Sequence, residues 1–232
     1  MFDRIKKALG PSADSSDKPQ ERAVAAFDAV SVWARAQGFT YNPLDQGKGF
    51  LVAGRTGNKP WRLERGQSSR TYIQGEELRA RAELKLDEDV AVLIMNRPLK
   101  EVLEKQAYGL YTDTLQTIID PKLPAEMRWL AMYREIGWES LSPAFWERYS
   151  VMTDKRAHAL AWLDQNLADL LMSWPEPAPD ASVPFVLMLL HGKGYLRMQY
   201  TPADMPTLAH AALIFTSACE SALAGLEPDI VL

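Results

Sequence analysis

Apolar and polar positions alternate along most of the stretch from Gly47 to Asn96, and turn signals divide it into short segments. The alternation is strictest from Glu77 to Leu86, where every second residue is Leu or Ala and the residues between are Arg, Glu or Lys. Because successive side chains of a strand point to opposite faces, this pattern predicts a strand with one buried and one solvated face. Strands of this kind are typical of antiparallel sheets.

Neighbouring segments supply further strands for the same sheet. Gly57-Asn58 is a hairpin signal between the segments Leu51–Arg55 and Lys59–Arg65. The run Asp89–Met95 is almost wholly apolar, so we expect a central strand that is buried on both faces. Other strands are predicted at Phe39–Leu44 and Trp146–Thr153, and a second hairpin is predicted from Phe185–Leu190 and Tyr195–Tyr200 through residues 191–194.

Helical spacing of apolar residues separates these strands. From Glu21 to Gln37 the apolar residues form one stripe, which Gly38 ends. Capping residues define most of the other predicted helices, because Asn and Asp side chains accept hydrogen bonds from the first backbone N–H groups of a helix. These helices run from an Asn96 cap to about Tyr108, over Leu123–Ile136, from an Asp154 cap to Trp174, and from an Asp204 cap to Gly225.

Together these elements predict an α+β fold with a mainly antiparallel sheet and helices packed against it. We expect a flexible polar tail over residues 1–20, an α+β first half with the main sheet over 21–140, and a strand–helix–hairpin–helix second half over 141–232. The two halves are expected to pack as one globular unit. The match between Gly47–Leu51 and Gly192–Leu196 raises the hypothesis of two duplicated halves, although glycines also recur at turns for local reasons.

Composition is that of an ordinary globular protein. The 232 residues are 47% hydrophobic and carry a formal charge of −4, which argues against a nucleic-acid partner. No apolar run is long enough to span a membrane, and the N-terminus lacks the apolar core of a secretory signal, so we expect a cytoplasmic location. Met1–Leu9 has the spacing of a short amphipathic helix, interpreted either as a frayed end, as a partner-docking helix or as a membrane-surface anchor.

The residue types that commonly take part in catalysis or bind metals do not form a recognisable motif in this sequence. The three histidines, His158, His191 and His210, lack the spacing that places two metal ligands on one helix face. Cys219 lies on the apolar stripe of the last predicted helix, where a thiol behaves as a small apolar group with a raised pKa. We therefore predict no catalytic residue, no metal site and no cofactor. The tryptophans of the second half are interpreted as core residues rather than as the lining of a ligand pocket.

The strand segment differs from the rest of the chain in charge. Between Gly54 and Lys85 there are eight basic and four acidic residues, a net charge of +4 that leaves −8 for the remainder. Because Arg79 and Arg81 are two positions apart on one predicted strand, they project from the same face, and Arg62 joins them if its strand lies beside theirs. The candidate residues for binding an anion or an acidic partner are Arg55, Arg62, Arg65, Arg70, Arg79 and Arg81.

These arginines have two interpretations. Guanidinium groups bind carboxylates and phosphates in a bidentate manner, so a face of unpaired arginines binds an anionic ligand or an acidic protein. Alternatively, the arginines pair with Glu64 and Glu83 across strands and form an ordinary solvated surface. We expect a non-catalytic binding or adaptor module that uses this face. The alternatives are an enzyme whose site is assembled only by the tertiary structure, and a peripheral membrane protein that uses residues 1–9.

Part of the second half resembles a bacterial family of unknown function. The resemblance lies between Trp146 and Tyr200, in RYSVMTDKRAHALAWLDQNLADLLMSW and, after a proline-rich gap, in FVLMLLHGKGYLRMQY. The shared pattern is a strand, an Asp-capped helix and a hairpin with an aromatic-Leu pair, and it covers about a quarter of the chain. This resemblance implies no activity and no site residues.

Overall fold

One antiparallel sheet organises the computed structural model, which describes residues 28–44, 48–112 and 125–226. Within these residues the strands are β1 (Thr40–Leu44), β2 (Gly49–Thr56), β3 (Lys59–Gln67), β4 (Glu76–Glu83), β5 (Val92–Asn96), β6 (Arg134–Ile136), β7 (Tyr149–Thr153), β8 (Phe185–Leu190) and β9 (Lys193–Gln199). Their spatial order is β1-β2-β3-β4-β9-β8-β5-β7-β6, and all neighbours are antiparallel. The predicted α+β fold is confirmed. The predicted tail over 1–20 and the Met1–Leu9 helix lie outside the described residues.

Helices pack on both faces of this sheet, but not equally. The described helices are α1 (28–36), α2 (Arg97–Thr112), α3 (Ala125–Met132), α4 (Pro143–Arg148), α5 (Arg156–Trp162), α6 (Gln165–Met172) and α7 (Met205–Leu226). The larger hydrophobic cluster includes side chains of α1, α5, α6 and α7, and we call the sheet face beneath it the major face. On the opposite, minor face, Leu99 and Leu103 of α2 form a smaller cluster with Met95 and Met188 of the sheet.

Both predicted hairpins are present. Gly57-Asn58 joins β2 to β3, and His191-Gly192 joins β8 to β9, each as a two-residue connection. Gly57, His191 and Gly192 have positive φ angles of 58°, 50° and 69°, and glycine adopts such angles at little steric cost. The length and conformation of each turn set the register of its hairpin, and the register decides which side chains share a face.

Strand β5 confirms the predicted central strand, although it covers Val92–Asn96 rather than Asp89–Met95. All five of its residues are buried. Val92 and Ile94 join the large cluster on the major face, whereas Leu93 and Met95 join the smaller cluster on the minor face. Because apolar partners are present on both sides, the strand has no alternation of polar residues. Its neighbours are β8 and β7, so a strand from the first half of the chain lies between two strands of the second half.

The single helix predicted from Asp154 to Trp174 is wrong. The segment forms two helices, α5 and α6, and the N-cap of α5 is Lys155 rather than Asp154. Asp164 caps α6, since its side chain accepts a hydrogen bond of 2.7 Å from the backbone N–H of Leu167. A second capping residue within the apolar stripe therefore interrupts the continuous helical period.

Two predicted boundaries near the β6 edge of the sheet are also wrong. The helix predicted to reach Ile136 ends at Met132, because Arg134–Ile136 pairs with β7 as an edge strand. The strand predicted to begin at Trp146 begins three residues later, at Tyr149. The preceding residues form α4, which begins with a proline, a residue well suited to the first turn of a helix.

The side chain of Asn96, predicted to cap a helix, forms hydrogen bonds with the segment that leads into β8 instead. Asn96 is the last residue of β5 and only 2% exposed. Its Nδ2 donates a hydrogen bond of 2.8 Å to the carbonyl of Ala181, and its Oδ1 accepts one of 2.9 Å from the backbone N–H of Phe185. Since buried amides need such partners, Asn96 fixes the segment that leads into β8 against the end of β5.

Helix α7 packs along the major face. Its predicted cap is confirmed by a hydrogen bond of 2.8 Å from the backbone N–H of Thr207 to Asp204 Oδ1. The helix continues past the predicted stop at Gly225 to Leu226. A Cβ atom at Gly225 would lie 2.2 Å from the carbonyl oxygen of Ala161, so glycine permits the close approach to α5. Helix α7 is the one described helix that is long and apolar enough to cross a membrane, but its buried residues form part of the core.

The two motifs behind the duplication hypothesis occupy different environments. Phe50 packs into the large cluster on the major face, whereas Tyr195 contacts the smaller cluster on the minor face. The aromatic residues that follow the two matching glycines thus point to opposite sides of the sheet. The duplication stays a hypothesis that these motifs do not support.

Candidate functional site

The minor face is solvated where it is formed by β3, β4 and β9. Helix α2 contacts β5 and β7, which form another part of this face. The outward side chains of the three strands form the surface that we call the basic shelf: Arg62, Glu64, Glu77, Arg79, Arg81, Glu83, Lys193, Tyr195 and Arg197. Five of these residues are basic and three are acidic, so the shelf is positive in a chain whose formal charge is −4.

The strand register places basic residues of the shelf directly opposite each other. Arg62 of β3 is paired with Arg81 of β4, and Arg79 of β4 is paired with Arg197 of β9. The Cβ atoms of opposed residues in antiparallel strands are about 4.5–5.5 Å apart, so like charges at these positions destabilise the sheet. Tyr195 is paired with Arg81 on the other side, and its ring centroid lies 5.9 Å from the guanidinium carbon of Arg81.

The other three predicted arginines make contacts of their own. Arg55 lies on β2 beside the β2–β3 hairpin, on the same sheet face as Arg62, and donates a hydrogen bond to a carbonyl of the turn. Arg65 points to the major face, where it forms a bidentate pair with Glu76. Arg70 lies in the connection between β3 and β4 and donates a hydrogen bond of 3.4 Å to the carbonyl of Ser69. Four of the six proposed arginines therefore lie on the minor face, and three of them, Arg62, Arg79 and Arg81, lie on the paired strands β3 and β4.

Ion pairs involve two of the three arginines that the structure brings together. Arg79 lies 3.7 Å from Glu64 on the neighbouring strand. Arg81 pairs with Glu83 on its own strand, with a hydrogen bond of 2.9 Å from Nε. Arg62 is exposed, and its side chain has neither an ion pair nor a hydrogen bond among the described residues. The alternative of arginine–glutamate pairing thus describes Arg79 and Arg81 but not Arg62.

A buried ion pair closes one end of the basic shelf. The side chain of Glu77 is 0% exposed and pairs with Arg197. Its Oε2 accepts a hydrogen bond of 2.9 Å from the backbone N–H of Ser69, and Ser69 Oγ accepts one of 2.7 Å from Arg197 Nη1. A buried carboxylate is stable only with partners of this kind, so Arg197 is held in a structural contact.

A hollow with a volume of about 270 Å³ lies at the other end of the shelf. It is lined by Pro60, Trp61, Arg62, Arg81 and Glu83. The lining has two guanidinium groups and one carboxylate, and that carboxylate is already bonded to Arg81. The hollow therefore offers an anion the charge of Arg62, with the charge of Arg81 beside it.

The contribution of β9 to this surface was missed from the sequence. Tyr195 and Arg197 occupy alternate positions of the predicted strand Tyr195–Tyr200, so their common face was visible in the pattern, whereas Lys193 was assigned to the turn and belongs to β9. Their neighbours were not visible, since Arg197 and Glu77 are 120 residues apart in the chain. Only the pairing of β9 with β4 places these side chains beside Arg79 and Arg81.

The most reactive side chains are distributed over separate parts of the described structure. Cys219 is buried, as predicted, and burial raises the pKa of its thiol. His210 contacts the ring of Trp174 at 4.8 Å, and its Nε2 lies 2.8 Å from the carbonyl oxygen of Leu170. Burial lowers the pKa of His210. Among the described residues, no group of three or more His, Cys, Asp or Glu side chains is arranged to hold a metal ion.

Of the five tryptophans interpreted as core residues, Trp129 is partly buried and packs against the smaller cluster, and the other four form two pairs. Trp162 and Trp174 are buried, and Nε1 of Trp162 donates a hydrogen bond of 2.9 Å to the carbonyl of Ala218 in α7. Trp138 and Trp146 are only partly buried and pack at the margin of the large cluster. The core interpretation therefore holds for the first pair, whereas the second pair also reaches solvent.

Comparison with known proteins indicates no function, so a function is inferred from the geometry of the basic shelf. No family model, no curated protein and no solved structure matches this chain. The resemblance of the second half to an uncharacterised bacterial family stays a prediction. The arrangement of Arg62 and Arg81 is therefore the starting point for the functional argument.

Proposed function

We propose that this protein is a non-catalytic binding module whose basic shelf binds a carboxylate or phosphate group of an anionic ligand. The observation that carries the proposal is that Arg62 lies directly opposite Arg81 and has no ion pair among the described residues. Guanidinium groups donate parallel hydrogen bonds to carboxylates and phosphates. Two guanidinium groups on neighbouring strands therefore offer a site for one anion.

Electrostatic repulsion within the shelf favours such a ligand. Like charges directly opposite each other on antiparallel strands destabilise a sheet by about 0.2–1 kcal/mol. Glu83 offsets this repulsion only in part, because it bonds to Arg81 and also lies 3.7 Å from Lys193. An anion in the hollow interacts favourably with Arg62 and Arg81 together and removes the remaining repulsion.

The surroundings of Arg81 favour binding without a large rearrangement. Glu83 holds its guanidinium group on one side, and the ring of Tyr195 lies below it. Both arginines project from paired strands rather than from a loop. Because the contacts with Glu83 and Tyr195 restrict the side chain of Arg81, that side chain loses less conformational entropy on binding than a free arginine would.

The size of the hollow indicates how much of a ligand it accepts. Its volume of about 270 Å³ is slightly below the roughly 300–1,000 Å³ of pockets for drug-sized ligands. It accommodates one small anion or one acidic side chain. Both sources present the same carboxylate or phosphate chemistry to Arg62 and Arg81, so the test includes both.

Isothermal titration calorimetry with inorganic pyrophosphate, citrate and a hexaglutamate peptide tests this proposal. We expect saturable binding that weakens as the salt concentration rises, because salt screens exposed charges. The double variant Arg62→Gln/Arg81→Gln should bind about tenfold more weakly, a loss of about 1.4 kcal/mol. The matched control is Arg156→Gln, which removes an exposed arginine from α5 and should leave the affinity unchanged.

The three titrants distinguish the source of the anion. Binding of hexaglutamate alone identifies an acidic protein segment as the ligand, and binding of pyrophosphate or citrate alone identifies a small anion. If none of the three binds saturably, or if Arg156→Gln weakens binding as much as the double variant does, the shelf is not an anion site.

A further inference from the structure

A second hollow, with a volume of about 770 Å³, lies between the beginning of α2, the segment that follows β6, and α4. Its apolar lining includes Trp138, Leu141 and Trp146, and its charged lining is Arg97, Glu139 and Glu147. These residues are distinct from those of the basic shelf. Ligand-binding pockets commonly have volumes of about 300–1,000 Å³, so this hollow accommodates a small organic molecule.

Two indole rings form a wall of this hollow. Trp138 and Trp146 make an edge-to-face contact, with ring centroids 5.1 Å apart and an interplanar angle of 79°. Trp146 also contacts the ring of Phe145 at 5.1 Å, and Phe145 is only 1% exposed. The wall is therefore anchored in the hydrophobic core, while both indoles keep part of their surface exposed.

The charges around the hollow are negative once the internal contacts are considered. The Nε atom of Arg97 donates a hydrogen bond to the carbonyl of Trp146, and its Nη2 lies 3.0 Å from Glu135. Glu135 also lies 3.1 Å from Lys100, which pairs with Glu104, so the two basic and two acidic side chains of this network balance each other. Glu139 and Glu147 are exposed, and neither carboxylate has an ion pair or a hydrogen bond among the described residues. Two carboxylates therefore face a ligand that enters the hollow.

We propose that this hollow binds a small organic cation that carries an alkylammonium group. A cation is attracted to the face of an indole ring, because the ring quadrupole is negative there. The carboxylates of Glu139 and Glu147 add a favourable interaction with the same charge, and they disfavour an anion. The alkyl part of the ligand packs against Trp138 and Leu141. This site goes beyond the proposed function of the shelf, since the two surfaces select ligands of opposite charge.

A titration with choline, followed through the indole N–H signals in NMR spectra, tests this inference. The chain has seven tryptophans, and the variants Trp138→Phe and Trp146→Phe assign the two relevant signals. We expect saturable shifts of these two signals. The neutral isostere 3,3-dimethylbutan-1-ol should produce much smaller shifts, because it has the shape of choline without the charge. The double variant Glu139→Gln/Glu147→Gln should raise the Kd for choline by about fivefold to tenfold.

Two controls separate this site from other acidic and basic surfaces. Glu88→Gln removes an exposed carboxylate outside the hollow and should leave the Kd for choline unchanged. The shelf variant Arg62→Gln/Arg81→Gln should also bind choline normally, so failure of the anion proposal does not affect this one. The inference is overturned if choline causes no saturable shift, if the neutral isostere shifts the same signals equally, or if the double glutamine variant binds choline as tightly as the unmodified chain.

Discussion

Strands β4 and β5 belong to one sheet and are separated only by β9 and β8, but their residues are buried in different ways. From Leu78 onwards, buried and partly exposed residues alternate in β4, whereas every residue of β5 is buried. The second layer of helices accounts for the difference. Residues Leu99 and Leu103 of α2 pack against β5 on the minor face, and the same face of β4 carries the basic shelf.

The sheet thus contains one region that contributes mainly to stability and another whose outward side chains are open to solvent. In β5, each side chain contributes apolar burial, and its removal leaves a cavity. In β4, the outward side chains contribute mainly surface ion pairs, which are worth little in water. Outward residues of β4 can therefore change with little effect on folding. The predictions below test the contributions of the two faces of the sheet to stability, from the largest expected effect to the smallest.

The largest effect is expected in β5. Leu93 is 0% exposed and packs in the smaller cluster with Leu99 and Leu103 of α2, so Leu93→Ala should lower the free energy of unfolding by about 3–4 kcal/mol through lost burial and a new cavity. Urea denaturation followed by circular dichroism measures this change. Arg81→Ala in β4 is the matched substitution and should cost less than about 1 kcal/mol. Similar losses of stability in the two variants would show that packing against α2 does not make the minor-face side chains of β5 more important for folding than those of β4.

Glu77 is an exception on the solvated face, because it is buried beneath the β3–β4 connection. Glu77→Gln should lower the free energy of unfolding by about 2–3 kcal/mol, since it leaves Arg197 without its charged partner. Ser69→Ala keeps the ion pair and should cost about 1 kcal/mol. An unchanged urea midpoint for Glu77→Gln would mean that this pair does not hold the closed end of the shelf.

Cys219 of α7, the helix that packs along the major face, makes the free energy of unfolding depend on pH. Burial raises the pKa of the folded thiol above its ordinary value of 9.0. As the pH rises above the ordinary pKa, the thiol of the unfolded chain loses a proton that the folded chain keeps. The free energy of unfolding therefore falls by up to about 1.4 kcal/mol per pH unit. Cys219→Ala should remove this part of the decline, which urea denaturation between roughly pH 8 and 10 would reveal.

Chemical labelling gives an independent check on Cys219. A thiol reagent should modify the native protein slowly and the unfolded protein rapidly, since the thiolate is the reactive form. Fast labelling of the native protein would contradict the burial of Cys219. It would also remove the reason for the pH dependence.

The smallest effect is expected at Arg62. Arg62→Gln removes a charge that lies opposite Arg81, so the free energy of unfolding should rise slightly, by no more than about 0.5 kcal/mol. Arg79→Gln should have the opposite sign, because it breaks the pair with Glu64. Parallel urea titrations of the two variants compare them directly. A loss of stability in Arg62→Gln would indicate that Arg62 has a structural role.

Local patterns were sufficient for the class of the fold and for many of its elements. The alternation in β4, the turns at Gly57-Asn58 and His191-Gly192, and the Asp204 cap were all predicted, and the structure contains them. Each depends on contacts within a few residues: the pleat of a strand, the positive φ of a turn, or a side chain bonded to the next helical turn. Such contacts involve residues that are close together in the sequence, so the sequence is enough to predict them.

Predictions failed where two local preferences competed. The apolar stripe between Asp154 and Trp174 favours one helix, but Asp164 also favours a new helical start, and the tertiary structure contains that start. Asn96 is a suitable cap, but its amide bonds to the distant backbone of Ala181 and Phe185 instead. Burial of the polar side chain selects the partner in such cases, and burial depends on elements far away in the sequence.

The sequence by itself determined which side chains of each strand share a face and which strands form the two hairpins, whereas the tertiary structure decided the other strand neighbours. The common face of Arg79 and Arg81 follows from the two-residue period of β4. The position of Arg62 opposite Arg81, and of Arg197 opposite Arg79, depends on the pairing of β4 with β3 and β9. A hydrophobic pattern specifies that a residue is buried but not what covers it, because the hydrophobic effect has no preferred partner.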